Sequence, residues 1–213
     1  MSTSPSRGRN VVGLYLFVDS NTLIGAVHRD GEHDEAAREL FRLWEAGWIA
    51  LGRTDTMDTE RTEDQDEATA AQRQEESACL PEAFGPFVLD DSRLDHAVLG
   101  SDEDDARIRT VFSILFPSSS WETVRRNSRR DAMHVATTAR YGGHAFVTNE
   151  RGLLNKDEQI AAALGIRLWS PTHALERAYG AIAARRRLHA LEPERGPLPD
   201  YPVPTSSCLP SPW

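Results

Sequence analysis

Lysine is all but missing: Lys156 is the only one among the 24 basic residues of this 213-residue chain. No G-x-x-x-x-G-K-[ST] loop occurs, which excludes a P-loop nucleotide hydrolase. A phosphoacceptor receiver domain needs a lysine after a late strand. Lys156 comes too early for that role, and Ser170-Pro171 stands where Lys-Pro would be expected. Cysteine is scarce too. Cys79 and Cys208 have no neighbour at metal-ligand spacing and read as unpaired thiols of a reducing compartment. No apolar run approaches the ~18 residues of a membrane span. The start, MSTSPSRGRN, lacks the apolar core of a signal peptide. The expectation is a cytoplasmic protein without a membrane partner. Basic charge is in deficit, 24 residues against 33 acidic for a net −9, which argues against non-specific phosphate-backbone binding as the main task.

What is present is an ordinary folding composition. Hydrophobic residues make up 39% of the chain and mean hydropathy is −0.49, enough for one sizeable core. The charge is segregated: residues 55–76 hold nine acids against two arginines, whereas 122–140 hold five arginines against two acids.

Residues 11–18 form a near-continuous apolar run, as a strand buried on both faces requires. Ala37, Leu40, Phe41 and Trp44 predict a helix over 33–46 that Gly47 closes. WIAL, 48–51, reads as a short strand, and the acidic stretch 55–76 as an exposed helix or a mobile segment. Pro81, Gly85 and Pro86 punctuate a loop before a strand FVL, 87–89. Ser101 and Asp104 form a capping box for a helix striped by Ile108, Val111, Phe112 and Leu115 and ended by Pro117. A helix over 131–141 presents Ala132, Val135, Ala136 and Ala139 on one face, and a Gly-Gly turn leads to the strand HAFVT, 144–148. Asn155 and Glu158 cap another helix, which Gly165 stops. IRLW, 166–169, is the last strand, and Ser170-Pro171 opens the final helix.

This alternation predicts an α/β fold, a three-layer α/β/α sandwich around a mostly parallel sheet. The expected organisation is a disordered 1–10, one domain over 11–180 with an enlarged middle region 62–120, and a helix end with a Pro-rich tail over 181–213. Seven of the 12 prolines fall between 193 and 212, which suits an extended tail better than a packed element.

Three acids fall where such a sheet holds ligands, beyond the carboxyl ends of its strands. Asp19 follows the first strand, Glu150 follows HAFVT, and Asp131 is expected to open its helix. Each alone has an ordinary structural role: a turn cap, a helix-start carboxylate, a solvated loop acid. Together they form a set whose mutual repulsion a cation would relieve. Oxygen-only ligands favour Mg²⁺ or Mn²⁺ over zinc, and such a site suits phosphodiester hydrolysis.

VDSNTLI, followed much later by RRDAMHVATTARYGGHAFVTNERGLL over 129–154, resembles the PIN-domain family of metal-dependent ribonucleases. In that family the first strand ends in Asp, a helix opens with Asp-Ala-x-His-x-Ala, and a strand ends in Thr-Asn-Asp or similar. The resemblance makes Asp19 the first acid, Asp131 the third and Glu150 the fourth, with Glu where Asp is commoner. Glu60 stands at about the right distance for the second, with Asp55 and Asp58 competing for the role. These residues would be catalytic and would hold Mg²⁺ or Mn²⁺. Asn21 and Thr148 are candidates to orient carboxylates or water, and His134 for a packing or orienting role. Arg125, Arg126, Arg129 and Arg130 are candidates for RNA phosphates, or for a solvated loop that offsets the acidic segment.

The resemblance implies a metal-dependent endoribonuclease with RNA as substrate. It is similar to the VapC-type toxins of toxin–antitoxin pairs, so a small antitoxin protein is an implied partner, and a homodimer is expected. The alternative is a PIN-like domain without catalysis that binds RNA or protein.

Overall fold

The computed structural model describes residues 13–27, 34–57, 78, 80–86, 88, 98–195 and 198–199. The chain builds an α/β fold around a five-stranded, all-parallel sheet with helices on both faces. In chain order the elements are β1 (Tyr15–Val18), α1 (Ser20–Val27), α2 (Asp34–Glu45), β2 (Ala50–Thr54) and β3 (Glu82–Ala83). Then come α3 (Asp102–Leu115), α4 (Arg126–Arg140), β4 (Ala145–Val147), α5 (Arg151–Leu154), α6 (Asp157–Leu164), β5 (Arg167–Trp169) and α7 (Pro171–Leu191). The strand order is β3-β2-β1-β4-β5.

Strand periodicity divides the core. In β1, Leu16 and Val18 face one side and Phe17 the other; in β4, Ala145 and Val147 oppose Phe146. The first side buries Leu23 of α1, Leu40 and Phe41 of α2, and Ala174, Ala178 and Ile182 of α7. The second buries Ile108, Val111 and Phe112 of α3, Met133, Val135 and Ala136 of α4, and Ile160 of α6. Within the apolar run at the amino terminus, Tyr15–Val18 form a strand packed on both faces.

Several expected elements move. The second strand lies at 50–54 instead of 48–51. Trp48 and Ile49 are core residues ahead of it, and the polar Arg53 belongs inside because it pairs with Glu82 at 3.1 Å. Next to it runs β3, at 82–83. Of the expected strand 87–89 only Val88 lies within the described residues, and it is outside any strand. The Asp131 helix begins five residues early, at Arg126, with Arg125 as an N-cap that makes no side-chain cap bond. Asp131 thus sits in the second turn and does not open the helix. Lys156 replaces Asn155 as the N-cap of α6, and Asn155 ends α5.

Other signals hold. Ser101 and Asp104 make a reciprocal capping box, and the Ser170 hydroxyl accepts from the His173 N–H at 3.3 Å. Gly165 ends α6 with φ +72°. The N-terminal ten residues, the acidic stretch beyond Met57, both cysteines and residues 200–213 lie outside the described residues. In the Pro-rich stretch, Leu198 is half-buried against the α1–α2–α7 core, so this part of the tail is packed. Among the described residues no helix is long and apolar enough to cross a membrane.

The Gly-Gly turn sets how α4 returns to the sheet. Gly142 takes φ +67°, and Gly143 is buried where a Cβ would stand 2.8 Å from both Phe17 Cδ2 and Thr138 Cγ2. Gly143→Ala should therefore cost ~1–3 kcal/mol, as overpacking of a tight core does. Urea unfolding measures it, and a midpoint unchanged from wild type would refute the contact.

Candidate functional site

Because every strand is parallel, their carboxyl ends share one edge. Val18, Thr54 and Val147 end the neighbouring strands β1, β2 and β4, so Asp19, Asp55 and Thr148 emerge side by side. Asp19 extends the ladder by one bond, its N–H donating to the Val147 carbonyl at 3.0 Å. Its Oδ1 then accepts the Thr22 N–H at 2.6 Å, the geometry of an N-cap on α1. Its Oδ2 accepts from the Thr148 hydroxyl at 2.5 Å. That hydroxyl is itself fixed, since it accepts the Glu150 N–H at 3.0 Å.

Asp55 is buried, 4% exposed. Its carboxylate accepts the Thr56 N–H at 2.9 Å and the Gly85 N–H. Burial pushes both carboxyls above their ordinary value, and the hydrogen bonds and the nearby His134 oppose that rise without cancelling it. His134 acts electrostatically on both acids. It is 3% exposed, stacks on Phe146 with ring centroids 5.6 Å apart, and meets the Thr54 hydroxyl through Nδ1.

Of the expected site residues, Asp19 and Thr148 are bonded directly, and the Thr148 hydroxyl also accepts the Glu150 N–H. Asp19, Thr148 and His134 come together, joined by Asp55. Asp131 is half-buried on α4, whereas Glu150 and Asn21 are exposed. Glu60 and Asp58 lie outside the described residues, so of the three competitors for the second acid only Asp55 is placed. Arg125 and Arg126 are exposed at the start of α4. Arg129 packs over Trp121, 6.0 Å from the ring centroid, and Arg130 is buried.

Nothing local in the sequence marks Thr54 or Gly85 as site residues. An acid directly after a buried strand is the available signal for Asp55, but ending that strand at 51 hides it.

No protein-family model matches the chain, and no curated protein does. The donor set can be judged on its own chemistry. Among the described residues no three His, Cys, Asp or Glu side chains form a group able to hold a metal ion. Mg²⁺, however, needs no all-protein cage, because it keeps several waters and binds through one or two carboxylates together with substrate phosphates. Asp19 and Asp55, desolvated and on adjacent strands, fit that mode.

A carboxyl whose folded value is raised binds more protons in the folded than in the unfolded state. It contributes stability at low pH and loses it as pH rises through and above the ordinary 3.8. Asp19→Asn keeps the Thr22 cap and removes the desolvated charge. In EDTA the variant should gain on wild type as pH rises from about 4, its melting temperature exceeding wild type's by more at neutral pH than at pH 4. A gap that does not change with pH would show that the Asp19 charge is not desolvated.

Proposed function

We propose that the chain is a PIN-like, metal-dependent endoribonuclease that uses the carboxyl edge of its sheet as the active site. The observation that carries the reading is the pair of desolvated carboxylates, Asp19 and Asp55, on adjacent strands and acted on electrostatically by one buried histidine. Asp19, Asp55 and Asp131 are the candidate acids, with Asp55 the described competitor for the second place, and Glu150 follows β4. Mg²⁺ or Mn²⁺, when bound, would supply Lewis acidity toward water and neutralise charge on the phosphodiester.

The chain's own groups do the positioning. Thr22 and Thr148 fix the two oxygens of Asp19, and Thr56 and Gly85 hold Asp55. Thr54 and Phe146 fix the ring of His134. In a parallel sheet a crossover helix starts at the carboxyl edge, which puts the exposed Arg125 and Arg126 on the side from which RNA phosphates would approach. A toxin role with a small antitoxin and a homodimeric assembly belong to the same proposal.

A second reading, a PIN-like module that binds RNA or protein without cutting, is favoured by the lack of a three-ligand group among the described residues. Cleavage of mixed structured and single-stranded RNA, with Mn²⁺ or Mg²⁺ against EDTA, separates the two. The nuclease reading expects metal-dependent cuts that fall at least ~100-fold in Asp19→Asn, Asp55→Asn and Asp131→Asn, the usual scale for losing one electrostatic stabiliser. RNA bound but uncut in every metal would favour the binding module, and full activity in Asp19→Asn would remove the assigned site.

A further inference from the structure

We infer that Gly85, in the enlarged middle region, is a positioning residue of the candidate site: its N–H and its missing side chain together set where the Asp55 carboxylate lies. The inference rests on the nuclease reading for its consequence but not for its geometry. A Cβ on Gly85 would stand 3.0 and 3.5 Å from the two Asp55 carboxylate oxygens and 2.9 Å from Thr137 Oγ1. The backbone does not demand glycine there. The left-handed glycines among the described residues are Gly47, Gly142 and Gly165. What requires glycine at 85 is the closeness of Asp55 and Thr137.

Neither neighbour can yield. Thr137 is fully buried, with a β-branched side chain stiff about χ1 on a helix. The Asp55 carboxylate is held by the Thr56 N–H, which donates to Oδ1, the oxygen nearest Gly85. Gly85 cannot retreat either. Its carbonyl accepts the Val98 N–H at 3.1 Å, and the next residue, Pro86, bridges Val98. Just before it, the Phe84 carbonyl accepts from the Tyr141 hydroxyl at 3.0 Å, at the end of α4. Further back, the Pro81 carbonyl accepts the Arg53 N–H at 2.9 Å, and Glu82 pairs with Arg53 on β2. The segment is thus fastened to β2 and to α4, the elements that carry Asp55 and His134. Part of the middle region is a wall of the site.

The test has two arms. In the first, calorimetry with Mn²⁺ alone compares wild type, Gly85→Ala, Asp55→Ala and the double variant. Gly85→Ala should weaken binding roughly tenfold, as losing one charge-assisted hydrogen bond does, and should add nothing once Asp55 is alanine. Equal losses in both backgrounds, or none in the first, overturn the inference. The second arm needs neither metal nor a folded Gly85 variant: the Gly85 amide proton resonance is read in wild type and in Asp55→Ala. It should move upfield when the carboxylate is removed, and an unmoved resonance overturns the inference. If wild type binds no Mn²⁺ but the resonance moves, the nuclease reading falls while the positioning of Asp55 by Gly85 stands.

Discussion

The carboxyl edge of this sheet is organised by the cost of taking two carboxylates out of water. A desolvated carboxylate is tolerated only when hydrogen bonds or opposite charge compensate for its lost hydration. Asp19 has the Thr22 N–H and the Thr148 hydroxyl, and Asp55 has the N–H groups of Thr56 and Gly85. His134 lowers the charging cost of both. Even so, both carboxyls stay above their ordinary range, so compensation is incomplete. A group left in that state costs stability, and functional sites are where such costs gather.

The fold makes the arrangement possible. Parallel strands bring every strand end to one edge, and strict alternation in β1 and β4 places a packed core on each side of it. The edge is therefore rigid, and side chains on its last residues are held by helices from both layers. From one face α1 supplies the Thr22 N–H; from the other α4 supplies His134. The polar pairs beyond the edge are structural by contrast. Asp157 joins α6 to β5 by accepting the Leu168 N–H at 2.7 Å, and it pairs with Arg167. For Asp104, burial raises the carboxyl, but Ser101, Arg140 and Arg107 outweigh it and hold it below the ordinary range. Asp104 is thus compensated, which is what separates it from Asp19 and Asp55.

Elements with local chemical signals could be read from the sequence. The capping box at Ser101, the Ser170-Pro171 start and the Gly165 stop act within a few residues and appear as expected. So does the apolar run that ends at Asp19. What was hidden depended on tertiary partners. Residues 50–54 include Gly52 and Arg53, which do not look like a buried strand until Glu82 pairs with the arginine and Tyr15 and Phe17 fill the space over the glycine. That hid the end of β2, and with it the position of Asp55 directly after the strand. The early start of α4 has no cap signal at Arg125, so the sequence alone points to Asp131 as the helix opener. Gly85 looked like turn punctuation because nothing in its neighbourhood of sequence reveals Thr137 or Asp55.

We propose that the desolvated Asp19 and Asp55 take up a divalent cation. Thermal unfolding in Mn²⁺ against EDTA tests it most directly, because a ligand that binds only the folded state raises its stability with the logarithm of concentration. Wild type should melt at steadily higher temperature as Mn²⁺ increases, while the Asp19→Asn/Asp55→Asn double variant should melt at the same temperature with or without the metal. A wild-type melting temperature that does not respond to Mn²⁺, or a response that survives in the double variant, would contradict the account.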